Sequence, residues 1–261
     1  MAPSPRRDAA VAVLQMWAYL AAYEMPNDDP GALERRVRVD YPVRVDSAIG
    51  RGVIPTVRLQ RALGRPGELR AVEKALIWTH WLWFAFPHAS AFYVLCRDEK
   101  GFPRAAAEIY ATFDVGLLGY WFLPTAPPWY AAKVGKLDAA GGEEMRRMMV
   151  EYGERFWTDR WPRLYGSLAG NPLAAMPSLH FATSVSAARV LARQGRLQGV
   201  VGWSYTAALG IALVYLGEHY VVDLLAGLGL SLGICAAAPI AAPLFDRVRC
   251  VLDELGAVAA G

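Results

Sequence analysis

Charge is what this chain of 261 residues has least of. Asp, Glu, Lys and Arg make up 20% of it, where soluble domains carry about a quarter. The 27 basic and 24 acidic residues leave a net charge of +3. That is too small to make nucleic acid an expected partner. Cysteine is also scarce. Cys96, Cys235 and Cys250 are odd in number and widely spaced, which argues against a disulfide framework or a CxxC metal knuckle. No internal repeat or low-complexity tract stands out. Hydrophobic residues fill 55% of the chain and mean hydropathy is +0.21.

The apolar residues come in runs. A membrane-crossing helix needs about 20 mostly apolar residues. Residues 75–96, 199–216 and 224–245 hold no Asp, Glu, Lys or Arg. Residues 105–123 hold only Glu108 and Asp114, and residues 177–192 hold Arg189 near one end. An apolar stretch at about 9–25 follows Arg6 and Arg7 and reads as an uncleaved first span rather than a signal peptide. Six spans result. They predict an all-α polytopic membrane protein with one domain over 1–261: an external interfacial segment over 26–74, core spans over 75–245 and a cytoplasmic tail over 246–261.

Loop charges orient the stack. Short cytoplasmic loops are enriched in Lys and Arg. Arg6 and Arg7, then Arg97, Lys100 and Arg104, then Arg189, Arg193 and Arg196, then Arg247 and Arg249 all fall on one side of a six-span layout. The long segment before residue 75 falls outside. There Ile54, Val57, Leu59 and Leu63 alternate with Arg58, Arg61 and Arg65, the pattern of an amphipathic helix resting on headgroups. A second external segment, Pro124 to Met176, opens with Trp129 and Tyr130 as interfacial anchors, and residues 142–158 read as helical.

Two histidines stand at the external ends of spans. His180 follows Pro177-Ser178-Leu179. His219 precedes Asp223 by four residues, one helical turn on the same face. Asp223 can fix the imidazole tautomer and leave the other nitrogen as an attacking lone pair. His180 can protonate a leaving oxygen. An acid one turn into a helix can equally be a cap, and two histidines with one carboxylate can equally bind a metal. A lipid transporter or lipid-binding protein is a further reading. Ionisable groups at span ends are costly and point to function.

PSLH followed by HxxxD resembles the second and third signature motifs of the type 2 phosphatidic acid phosphatase superfamily. The order Ala126-Pro127-Pro128-Trp129-Tyr130, Met176 to His180, and Glu218 to Asp223 is similar to its inositol phosphorylceramide synthase branch, over about residues 75–235. The resemblance implies a six-transmembrane-helix bundle with its reactive face outside the cytoplasm, in the plasma membrane. It implies a phosphatase or phosphotransferase working through a phosphohistidine on a membrane lipid within the bilayer, without metal or cofactor. Carried over, His219 is the nucleophile, Asp223 its orienting partner, His180 the general acid and Ser178 a phosphate holder.

Two departures stand out. The arginine that many members place six residues before the nucleophile is Leu213 here, and the Lys and Arg-Pro first motif is not evident. A phosphoryl transition state still needs positive charge around its oxygens. Lys133 and Lys136 are the first candidates, followed by Arg146, Arg147, Arg160 and Arg163. Elsewhere, Asp114 in a span predicts a hydrogen bond to another helix. His80 and His88 stand about 80° apart on a helix and make no metal pair. His88 follows Pro87 and predicts a kink-linked hydrogen bond. Gly227, Gly229 and Gly233 predict close helix packing.

Overall fold

A computed structural model describes residues 4–137, 145–169 and 171–260. They form α1 (Pro5–Glu24), α2 (Pro30–Arg36), α3 (Asp40–Ile49), α4 (Pro55–Leu63), α5 (Ala71–Leu82), α6 (Phe86–Arg97), α7 (Phe102–Phe122), α8 (Pro128–Lys133), α9 (Met148–Trp157), α10 (Trp161–Ala169), α11 (Leu179–Gln194), α12 (Arg196–Tyr215) and α13 (Val221–Ala260). Proline opens many of them: Pro5, Pro30, Pro55, Pro87, Pro103 and Pro128 all lie in the first two positions. Its fixed φ suits the first turn, where an N–H would go unbonded anyway. Among the described residues the only extended pairing is two isolated bridges, which tie Arg38 to Thr125 and Thr125 to Ala174.

Helix α11 is the centre. It packs against α6, α7, α12 and α13. Every residue from Ala182 to Ala188 is buried. Those residues are Ala, Thr, Ser and Val, small enough for backbones to approach closely. Their hydroxyls are spent within the bundle: Thr112 Oγ1 and Ser186 Oγ lie 2.9 Å apart, and Ser186 and Ser231 Oγ 2.7 Å apart. Gly227 is a second point of close approach, where an added Cβ would stand 2.6 Å from the Ser178 carbonyl oxygen. Gly229 and Gly233 depart from expectation, since an added Cβ would meet nothing within 4 Å at either.

Each expected apolar run is helical. Two helical segments, Arg196–Tyr215 and Val221–Pro243, are long and apolar enough to cross a membrane among the described residues. Large apolar side chains face outward on several helices: Val13, Leu14 and Trp17 on α1, Leu118 and Phe122 on α7, Val200 and Ile211 on α12, Leu225 and Ile240 on α13. Water-soluble monomers seldom leave so many such groups exposed; the chain is a membrane-associated helical protein. Asp114 does bond to another helix, accepting from Gln15 Nε2 at 2.7 Å and joining α7 to α1.

Two expectations change. The single span over 75–96 is divided: α5 stops at Leu82 and α6 starts at Phe86. Pro87 has no N–H for the Trp83 carbonyl and its ring clashes with that group, so one helical ladder cannot run through. The helix over 54–63 does form, as Pro55–Leu63, but most of its apolar face is turned into the protein, with Leu63 left exposed. Ile54 and Val57 are buried with Val43, Ala131 and Tyr220. The helix expected over 142–158 runs from Met148 to Trp157; residues 142–144 lie outside the described residues.

Candidate functional site

The site is made by two helix starts and one helix end. Helix α12 closes in a Schellman turn: Gly217 takes φ +80, Gly217 N donates to Val214 O at 3.2 Å, and Glu218 N donates to Leu213 O at 3.1 Å. His219 N also donates to Leu213 O at 3.1 Å. Leu213, where the arginine is missing, therefore holds the histidine loop through its carbonyl while its side chain is fully buried.

Helix α13 begins immediately after. Asp223 Oδ2 accepts from Tyr220 N at 2.9 Å, a capping contact, and lies 3.3 Å from His219 Nδ1. The cap and the histidine partner are one carboxylate. Tyr220 has no short acceptor to cap the helix, and Asp46 of α3 does so from outside it. Asp46 accepts from Val221 N at 3.0 Å and Val222 N at 2.9 Å. Burial pushes the Asp46 carboxyl up to about 6, against the pull of those two N–H groups.

Helix α11 begins at Ser178, whose Oγ accepts from Phe181 N at 3.3 Å and whose N–H donates to Asp223 O at 3.1 Å. This ties the two helix starts together and brings His180 Nδ1 to 3.1 Å from His219 Nε2. His219 is 3% exposed and Asp223 is fully buried. Proton placement follows from the chain of contacts. Asp223 accepts, so His219 Nδ1 carries hydrogen and Nε2 offers a lone pair. His180 Nδ1 then carries the hydrogen between the rings. An imidazole so oriented can act as a nucleophile beside a proton donor.

Two side chains from the broken span hold His180 in place. The ring centroids of His80 and Trp83 lie 4.8 and 4.1 Å from that of His180. Trp83 Nε1 donates to Thr183 Oγ1 at 2.9 Å. His80 thus reaches the histidine pair. His88 stacks on Phe113 instead, at 5.7 Å.

His180 and His219 line a cavity of about 310 Å³ with His80, Glu218 and Asn171. The rest of its wall is largely aromatic, including Trp78, Trp81, Trp129, Trp157 and Trp161. Burial raises the Glu218 carboxyl above the usual range, and the nearby Arg147 charge opposes this.

No Lys or Arg lines this cavity among the described residues. Arg147 stands behind the wall, its guanidinium 4.0 Å over the Trp129 ring and 2.8 Å from the Tyr165 hydroxyl. Lys133 lies 6.0 Å from the Tyr130 ring and lines a different cavity. Lys136 pairs with Asp40 at 3.1 Å. Arg146 is bound to Glu151 at 2.6 Å. Arg163 is exposed on α10, and Ser178 lies beside the pair but off the cavity wall. Sequence reasoning missed His80, Asn171, Glu218 and Asp46 as site components. A histidine inside a charge-free run is the one signal that could have found any of them.

Comparison with known proteins adds a family and a relative. The sequence model of the PAP2 superfamily matches residues 62–237. Phosphoinositol dihydroceramide synthase of Bacteroides thetaiotaomicron is 29% identical over 143 residues, which are 52% of this chain and 45% of that protein. The match thus spans under half the relative's length. No solved structure matches.

Proposed function

The chain belongs to the PAP2 superfamily, and from that premise we propose that it is a membrane phosphatase or phosphotransferase acting on lipid phosphate esters. The observation that carries the reading is the line Asp223–His219–His180, with 3.3 and 3.1 Å contacts, opening on an aromatic cavity. His219 Nε2 attacks phosphorus and a P–N bond forms. The P–O bond to the leaving lipid oxygen breaks, and that oxygen takes the Nδ1 proton of His180, which the phosphate anion holds as imidazolium and which is left as neutral imidazole. Asp223 stabilises the charge that develops on His219. In the second half an acceptor hydroxyl, or water, gives its proton to His180 and attacks phosphorus. The P–N bond then breaks and His219 is restored.

The phosphate takes the place of the direct contact between the two rings. The apolar cavity suits a lipid entering sideways from the bilayer. Likeness to a phosphoinositol dihydroceramide synthase favours transfer of a phosphorylated polyol to a lipid hydroxyl over hydrolysis. Arg147 adds positive charge from behind Trp129. The six-span layout, with this face outside the cytoplasm, belongs to the same reading: both histidines open on the side away from Arg97, Lys100, Arg193 and Arg196.

The test is to trap the intermediate. Purified protein fed with ³²P-labelled phosphatidylinositol or phosphatidic acid holds acid-labile, base-stable label, and His219→Ala holds none. No metal is needed, so a chelator leaves turnover intact. Full turnover by His219→Ala on every lipid tried would refute the mechanism.

A further inference from the structure

A phosphoryl centre requires donors for its non-bridging oxygens, and among the described residues no Lys or Arg lines this cavity. Two of the residues that line it have a buried side-chain nitrogen with no hydrogen-bond partner among the described residues. Asn171 is 3% exposed, and its Nδ2 is buried without a hydrogen-bond partner among the described residues. Its orientation is fixed, because Oδ1 accepts from Leu173 N at 3.2 Å and only the amide nitrogen remains. Its backbone is also held, with the carbonyl accepting from Tyr23 of α1 at 3.1 Å. His80 is 5% exposed, and its Nδ1 is buried without a partner. Its ring lies against that of His180.

Buried donors are nearly always bonded in native proteins, and an unbonded one needs a reason. Two of them in the wall of one cavity, beside a nucleophile and its acid, have a common reason. We propose that Asn171 Nδ2 and an N–H of His80 are the hydrogen-bond donors that hold the non-bridging phosphoryl oxygens during transfer. This rests on the reading of His219 as nucleophile. It also accounts for Leu213: neutral donors from the second external segment and from α5 do the work of the missing arginine. Donors of this kind are preorganised, since both side chains are already desolvated and fixed before the anion arrives.

The experiment uses the full chain in detergent with phosphatidylinositol, reading diacylglycerol release, KM and inhibition by orthovanadate. Asn171→Asp keeps the acceptor for Leu173 N and removes the donor. His80→Phe keeps the ring against His180 and removes the N–H. Each is expected to lower kcat on the order of 10²-fold, the usual effect of losing one oxyanion donor. KM changes little, and inhibition by vanadate weakens. His80→Gln, which restores an N–H, recovers part of the loss. Asn171→Ala repeats the loss at an unchanged melting temperature.

Turnover within about twofold of the parent in Asn171→Asp, Asn171→Ala and His80→Phe, with His219→Ala inactive, overturns the donor assignment and spares the nucleophile. Losses that only follow a lowered melting temperature overturn it too. Activity in His219→Ala overturns both.

Discussion

At the residue scale, the site turns on how many jobs a single group performs. Asp223 caps α13 through Tyr220 N and holds His219 through Nδ1. From the sequence these were rival readings of one aspartate; the geometry gives both. Glu218 shows the opposite economy, a buried carboxyl with an unpartnered Oε1 beside the histidines. Burial raises its pKa, so the native protein keeps it protonated to higher pH than a free glutamate. Protonated, it adds no negative charge next to a phosphate. As pH climbs through the raised value it ionises and repels the substrate. Glu218→Gln is therefore expected to extend activity toward alkaline pH, read as the alkaline limb of kcat/KM. An unchanged limb would count against this role.

At the element scale, helix starts decide where the histidines stand. The spacing of His219 and Asp223 placed them on one turn without any structure. It could not reveal that Tyr220 offers no acceptor to the first turn of α13, and that Val221 N bonds instead to Asp46 of α3, 175 residues away in sequence. Removing that acceptor with Asp46→Ala is expected to cost about 1–2 kcal/mol, the usual range for a lost N-cap. Its titration has a defined sign. The native carboxyl binds its proton more tightly than the unfolded one, at about 6. Between about pH 4 and that value the native state holds more protons, so stability falls as pH rises. Thermal melts in detergent across this window should show the slope in the parent and lose part of it in Asp46→Ala.

At the scale of the whole molecule, the outward-facing apolar side chains of α1, α7, α12 and α13 and the buried, small and partly polar stretch Ala182–Ala188 of α11 reverse the usual arrangement of a soluble bundle. The expected behaviour is resistance to alkaline carbonate extraction and release by detergent, followed by blotting of membrane and soluble fractions. Release by carbonate alone would contradict an integral bundle. The segment before residue 71 acts as part of the bundle, since α3 and α4 pack on α13 and α12.

The sequence by itself determined where the long helices lie, because apolar runs are a local signal, though not the break between α5 and α6. It also put His180, His219 and Asp223 in one site, because short motifs at span ends carry their own spacing. It placed Lys133, Lys136, Arg147 and Arg163 on the phosphate by charge alone. Only the tertiary structure separated them, leaving Arg147 against the Trp129 ring and Lys136 on Asp40. It likewise brought His80, Asn171 and Asp46 to the histidines from three distant segments. Burial and unspent hydrogen-bonding capacity depend on what packs nearby, and no local pattern in the chain encodes that.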